Sequence, residues 1–161
     1  MVLIGTMNSG KTYNSLKLAA KQERLFDEPF YEDITICSSS GEFDETVRTF
    51  KKAIRKSNLI TVQDNDLLQF LNDYIGKSKM YNTLVRFVRS NFRDPEDEMI
   101  RIIKDNNLKT KNKLVEFIAR KMIEIGWSTY PHRMLLILDD FASHPLLKHN
   151  DFPLSSLLKK L

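Results

Sequence analysis

Cysteine is nearly absent: Cys37 is the single one, so no disulfide can form within the chain, and its thiol fits a reducing compartment. With no base beside it in sequence to activate it, Cys37 reads as the end of a buried strand rather than as a nucleophile. Long apolar runs are missing too. No stretch approaches the roughly 20 residues that a bilayer-spanning helix needs, and no signal-peptide pattern opens the chain, so no membrane insertion is expected. The three histidines, His132, His144 and His149, lack metal-ligand spacing and have no cysteine partner, which argues against a zinc site. Repeats and low-complexity tracts do not occur.

What is present suits one α/β domain. The 161 residues are 42% hydrophobic and 29% charged, enough for a real core in a soluble protein. A net charge of +4 and a pI near 9.1 fit an acidic partner such as nucleic acid, and fit plain solubility equally well.

The sharpest signal is near the start, in "MVLIGTMNSGKTYNSLKL". Its "GTMNSGKT", residues 5–12, matches the phosphate-loop pattern G-x-x-x-x-G-K-[ST] in full. A chance match in a chain of this length has a probability of about half a percent at average residue usage. A short β-like run precedes the loop and a helical pattern follows from Lys11. Glycines let the backbone wrap an anion so that successive N–H groups face the phosphates, with the helix N-terminus behind them. The nucleotide-contacting stretch is therefore Gly5, Thr6, Met7, Asn8, Ser9, Gly10, Lys11, Thr12 and Tyr13. Lys11 is expected to reach the β- and γ-phosphates, and the Thr12 hydroxyl to ligate Mg²⁺.

A second motif lies far downstream. Residues 133–140, "RMLLILDD", read as a buried parallel strand ending in two carboxylates. Alone, such an ending equally suits a solvent-facing pair. Beside a phosphate loop, Asp139 has a role holding Mg²⁺ with Thr12, and Asp140 has one orienting or deprotonating the attacking water.

Between the motifs the pattern predicts strands at 34–37 and 59–62 and helices between them. Leu16, Leu18 and Ala19 are expected to pack from the first helix. Ser38, Ser39 and Ser40 lie at a strand's carboxyl end, the side where ligands bind in such sheets, and are expected to act as caps to a helix carrying Val47, Phe50 and Ile54. Asp64 or Asp66 is expected to cap a helix that buries Leu67, Leu71 and Tyr74 and stops at Gly76. Residues 77–126 read as an all-helical insertion. Its first apolar stripe is Tyr81, Leu84 or Val85, Val88 and Phe92, and Asp94-Pro95-Glu96-Asp97 signals a helix start. A last helix over 112–125 carries Leu114, Ile118, Met122 and Ile125 on one face and closes at Gly126. Trp127 and Tyr130 then anchor the turn into the final strand. Arg86, Arg89 and Arg93 follow i, i+3, i+7 spacing and share one helix face. That face can be a solvated surface, a DNA-phosphate contact or an arginine finger for a neighbouring subunit. Alternating strands and helices without hairpin signals predict a P-loop NTPase-type parallel sheet flanked by helices.

With both motifs placed, the chain resembles the viral DNA-packaging ATPases of poxviruses and giant DNA viruses, a branch of the FtsK–HerA superfamily. The resemblance rests on "MVLIGTMNSGKTYNSLKL" and "RMLLILDDFASHPLLKHNDFPLSSLLKKL", and more weakly on "ITICSSSGEFDETV". It implies phosphate contacts from Gly10, Lys11 and Thr12, Mg²⁺ at Asp139 and water activation at Asp140. It also implies an ATP-driven motor on double-stranded DNA, a homo-oligomeric ring with a capsid or portal partner, and a place in the host cytoplasm, at viral factories, or in the virion. Members of that family continue into an Arg-His pair and a sensor strand inserted between the two motif strands. This sequence stops at Leu161 before both. The expectation is therefore a single P-loop ATPase domain over 1–161 that is a fragment, or else a sheet whose two motif strands pair directly, as in P-loop kinases. Two other functions stay open beside the motor: a P-loop nucleoside or nucleotide kinase, and a nucleotide-binding assembly module that does not hydrolyse.

Overall fold

A computed structural model of the chain describes residues 2–3, 10–25, 29–38, 45–54, 56–139 and 141, with the backbone alone at 2, 3, 11, 22–25 and 46. Among these residues four strands, β1 (Val2–Leu3), β2 (Asp33–Ser38), β3 (Asn58–Gln63) and β4 (Met134–Asp139), form one sheet in the order β1-β4-β2-β3. Every neighbouring pair is parallel. Among the described residues, five α-helices accompany them, α1 (Lys11–Leu25), α2 (Glu45–Ala53), α3 (Leu67–Arg89), α4 (Asp97–Asp105) and α5 (Lys111–Ile125), with a 3-10 turn at Asp64–Asp66 leading into α3. The chain divides into two compact units, one comprising Met1–Asn72 with Arg133–Leu161, the other Asp73–His132.

In the sheet unit, strand parity sorts the side chains. Ile34 and Ile36 of β2 stand opposite Leu135 and Ile137 of β4, so all four point to one face. Leu16, Ala19 and Ala20 of α1 and Val47 and Ile54 from the α2 region pack on them, with Phe50 and Leu59 at the margin. The opposite face of these strands, with Thr35, Cys37, Leu136 and Leu138, is equally buried. Burial on both faces is what a central parallel strand requires, and it explains why β4 is a continuous apolar run. Both crossovers from β1 to β2 and from β2 to β3 advance the same way across the sheet. The right-handed rule then sends α1 and α2 to the same face, where they meet. Leu18 points away and is exposed, contrary to its expected packing role.

Polar groups lace the amino edge of the sheet. The Arg133 carbonyl accepts from the N–H of Glu32 and of Asp33, and Asn58 N–H donates to the Glu32 carbonyl. The Arg133 N–H donates to the Glu32 carboxylate at 2.6 Å, and the Asn58 side-chain amide donates to the buried Asp33 carboxylate at 3.0 Å. The opposite, carboxyl edge is where α1 begins and β4 ends.

The expected helical insertion is seen in the second unit, with two corrections. Gly76 does not end a helix, because α3 runs through it to Arg89. A single glycine costs a helix about 1 kcal/mol, which the buried residues on either side, Leu71, Tyr74, Ile75 and Tyr81, outweigh. Nor does a helix start at Pro95, since α4 begins at Asp97 behind an extended Glu96 whose side chain makes no cap bond. Acids Asp97 and Glu98 still lie in its first turn. The last helix closes at Gly126 as expected, in the left-handed conformation, and it begins behind Thr110, whose hydroxyl accepts from Lys113 N–H. Leu84, Phe87, Met99, Ile102, Phe117 and Ile118 make a core separate from that of the sheet.

Candidate functional site

Gly10 turns with φ +66°, and its carbonyl accepts from Asn14 N–H at 2.9 Å, which starts α1. Lys11 is therefore the first residue of that helix, at the position the phosphate-loop pattern assigns to it. Its side chain, together with Gly5, Thr6, Met7, Asn8, Ser9 and Asp140, lies outside the described residues, as do Ser39, Ser40, His144 and His149. Thr12 is half-buried. It precedes Leu16 by four residues and Ala19 by seven, so it shares their sheet-facing side, one turn nearer the helix start. Tyr13 is about half exposed, with its ring set edge-on against Phe50 at 5.4 Å and Lys17 Nζ at 5.7 Å from its centroid.

β1 pairs directly with β4, Val2 opposite Leu136 and Leu3 opposite Ile137. Of the two sheets open from sequence, this is the one in which the motif strands are direct neighbours. Pairing the strands directly satisfies backbone groups that a gap between them would orphan. Asp139 is half-buried at the carboxyl end of β4, two residues beyond Ile137. It shares the parity of Leu135 and Ile137, so it lies on the face that α1 covers. Thr12 and Asp139 thus belong to the same face and the same edge, the side of a parallel sheet where ligands bind.

This donor set suits a magnesium nucleotide. Mg²⁺ takes one or two carboxylates, a hydroxyl and phosphate oxygens, and retains water, without needing an all-protein cage. Among the described residues no group of three His, Cys, Asp or Glu side chains comes together to form such a cage.

Ser38, expected from sequence as one of three helix caps, belongs instead to the strand: it is the last residue of β2, buried, and directly opposite Asp139. Gln63 of β3 continues the same row on the far side of Ser38. Nothing in the segment "ITICS" alone reports this, because the register between β2 and β4 links residues a hundred positions apart.

Cys37 is buried, and burial, helped by the nearby Asp64 and Asp66, pushes its thiol up to about 12, so it stays protonated.

In the helical unit the three arginines do not form one face. Helix α3 ends at Arg89, and Asn91 and Phe92 both adopt positive φ, returning Phe92 onto Phe87 at 5.4 Å. Arg93 follows that turn. Arg86 donates to the Glu96 carboxylate at 3.2 Å and to the Tyr130 hydroxyl at 3.4 Å. The Arg89 guanidinium lies over the Tyr130 ring, 4.4 Å from its centroid. Arg93 is exposed, and its guanidinium has no partner among the described residues. Trp127 stacks on His132 at 3.9 Å and sets its edge against Tyr81, which is the anchoring role expected of it.

No helix among the described residues is long and apolar enough to cross a membrane. Comparison with protein-family models, with curated proteins and with solved structures finds no match for this chain.

Proposed function

We propose that the chain is the ATP-binding and hydrolysing domain of a motor that packages double-stranded DNA into a viral capsid. The observation that carries the nucleotide part is the full phosphate-loop consensus at the entry to α1, with Asp139 ending the adjacent strand. The DNA-motor part rests on the family resemblance of the same segments. Lys11 and the loop N–H groups bind the phosphates, while Thr12 and Asp139 are the residues that would hold Mg²⁺. When bound, the metal neutralises charge that develops on the transferred phosphoryl group. An Asp140 carboxylate oxygen orients the attacking water and takes its proton. Arg93, with no partner among the described residues, is the candidate DNA or finger cation; Arg86 and Arg89 hold internal contacts.

The β1–β4 pairing favours a second reading, a P-loop phosphotransferase acting on a nucleoside or nucleotide. Steady-state ATP turnover measured with and without duplex DNA, alongside a phosphoryl-acceptor screen, separates the two. The motor predicts DNA-stimulated release of phosphate, with Lys11→Ala abolishing nucleotide binding. Asp140→Asn should keep nucleotide binding and lower kcat about 10²- to 10⁴-fold, the usual worth of a general base. Label transferred to an acceptor without DNA stimulation would replace the motor by the kinase. Binding with unchanged, negligible turnover in both proteins would leave an assembly module.

A further inference from the structure

We infer that the Ser38 hydroxyl is a positioning group of the metal–phosphate site, holding the water shell of the nucleotide-bound cation from the strand beside Asp139. This inference rests on the nucleotide reading of Thr12 and Asp139.

Three alignments bear on it. The first is register: Ser38 stands opposite Asp139 across the β2–β4 pair. Neighbouring strands run about 4.8 Å apart, so the two side chains leave the sheet at about that spacing. The second is parity. Ser38 shares the face of Ile34 and Ile36, and Asp139 that of Leu135 and Ile137, and this is the face on which α1 packs. The third is helical phase, which puts Thr12 on the sheet-facing side of α1, one turn before Leu16.

Distances in metal chemistry make the spacing useful. Mg²⁺ binds oxygen at about 2.0–2.1 Å and gives up its water reluctantly. A hydroxyl hydrogen bond adds about 2.8 Å. A cation held at Asp139 therefore presents its bound water within hydrogen-bond reach of a hydroxyl one strand away. Gln63, a further strand spacing out, stands about 10 Å from Asp139 and is beyond that reach. Ser38 is also 3% exposed, so a hydroxyl there meets little competing bulk water. Groups that orient metal-bound ligands in this way contribute about 10- to 100-fold to metal affinity.

The test is a Mg²⁺ titration of the whole chain bound to a fluorescent ATP analogue, with nucleotide affinity also measured in EDTA. Ser38→Ala should weaken Mg²⁺ about tenfold or more while leaving metal-free nucleotide affinity unchanged and a cooperative melting transition in place. Ser38→Thr, which keeps the hydroxyl, should restore it, and Gln63→Ala should change neither constant. If Asp139→Asn weakens Mg²⁺ and Ser38→Ala does not, Ser38 has no part in the site and the metal reading stands. If neither substitution moves Mg²⁺, the assignment of Asp139 fails and takes this one with it. Loss of metal-free binding and of the melting transition in Ser38→Ala, or an equal Mg²⁺ loss in Gln63→Ala, would mark a structural role and overturn the inference.

Discussion

At Gly10 the left-handed backbone, φ +66°, costs an L residue about 1–2 kcal/mol. A Cβ there would meet the Asn14 side-chain nitrogen at 3.6 Å, an ordinary contact, so conformation rather than crowding calls for glycine. This much was legible from the consensus, because the loop's chemistry dictates residue type at fixed spacing. Cys37 was legible too, as a buried strand thiol without a base, although β2 runs one residue past it to Ser38. Its behaviour with pH follows from burial. Its pKa is raised from an ordinary 9.0 to about 12, so the stability it contributes is fully present below pH 9 and declines as pH rises toward 12. In denaturant titrations between pH 8 and 11, Cys37→Ala should remove part of that alkaline loss. Iodoacetamide should leave the folded thiol unmodified at pH 8. Ser38, by contrast, could not be read at this scale, since its meaning depends on the residue facing it.

Among elements, α5 shows how far local chemistry reaches. Its cap at Thr110, its stripe through Ile118 and its closure at Gly126 all follow from residues within one or two turns. α3 shows where such reasoning stops. Gly76 is a sound local stop signal, yet the helix passes through it because packing on both sides overrides propensity. A Cβ at Gly76 meets nothing within 4 Å, and the position is exposed. Gly76→Ala should therefore raise stability by about 1 kcal/mol, measured by chemical denaturation. The same limit separates Arg93 from Arg86 and Arg89. Helical spacing holds only while the helix lasts, and the positive-φ turn at Asn91 and Phe92 ends it.

Over the whole molecule, two hydrophobic cores among the described residues divide the work. Leu16, Ile34, Ile36, Leu135 and Ile137 hold the sheet that carries Thr12, Ser38 and Asp139, while Leu84 and Met99 hold the helical unit. Leu84 is fully buried, so Leu84→Ala should destabilise the helical unit by about 2–5 kcal/mol. Amide exchange should accelerate across residues 73–132, with β2 and β4 retaining protection and nucleotide affinity unchanged. Accelerated exchange throughout the sheet would mean that the two units unfold as one.

The sequence by itself determined the phosphate-loop consensus, the acid ending of the last strand, the helical character of residues 77–126 and the parallel α/β class. Each is written in near-neighbour spacing, in turn chemistry or in the period of apolar residues. Tertiary structure decided that β1 and β4 are neighbours, that Thr12 and Asp139 share a face, and that Ser38 stands beside Asp139. Those facts are matters of register between distant strands. A shift of one residue in that register would leave every local pattern intact while sending Ser38 and Asp139 to opposite faces of the sheet.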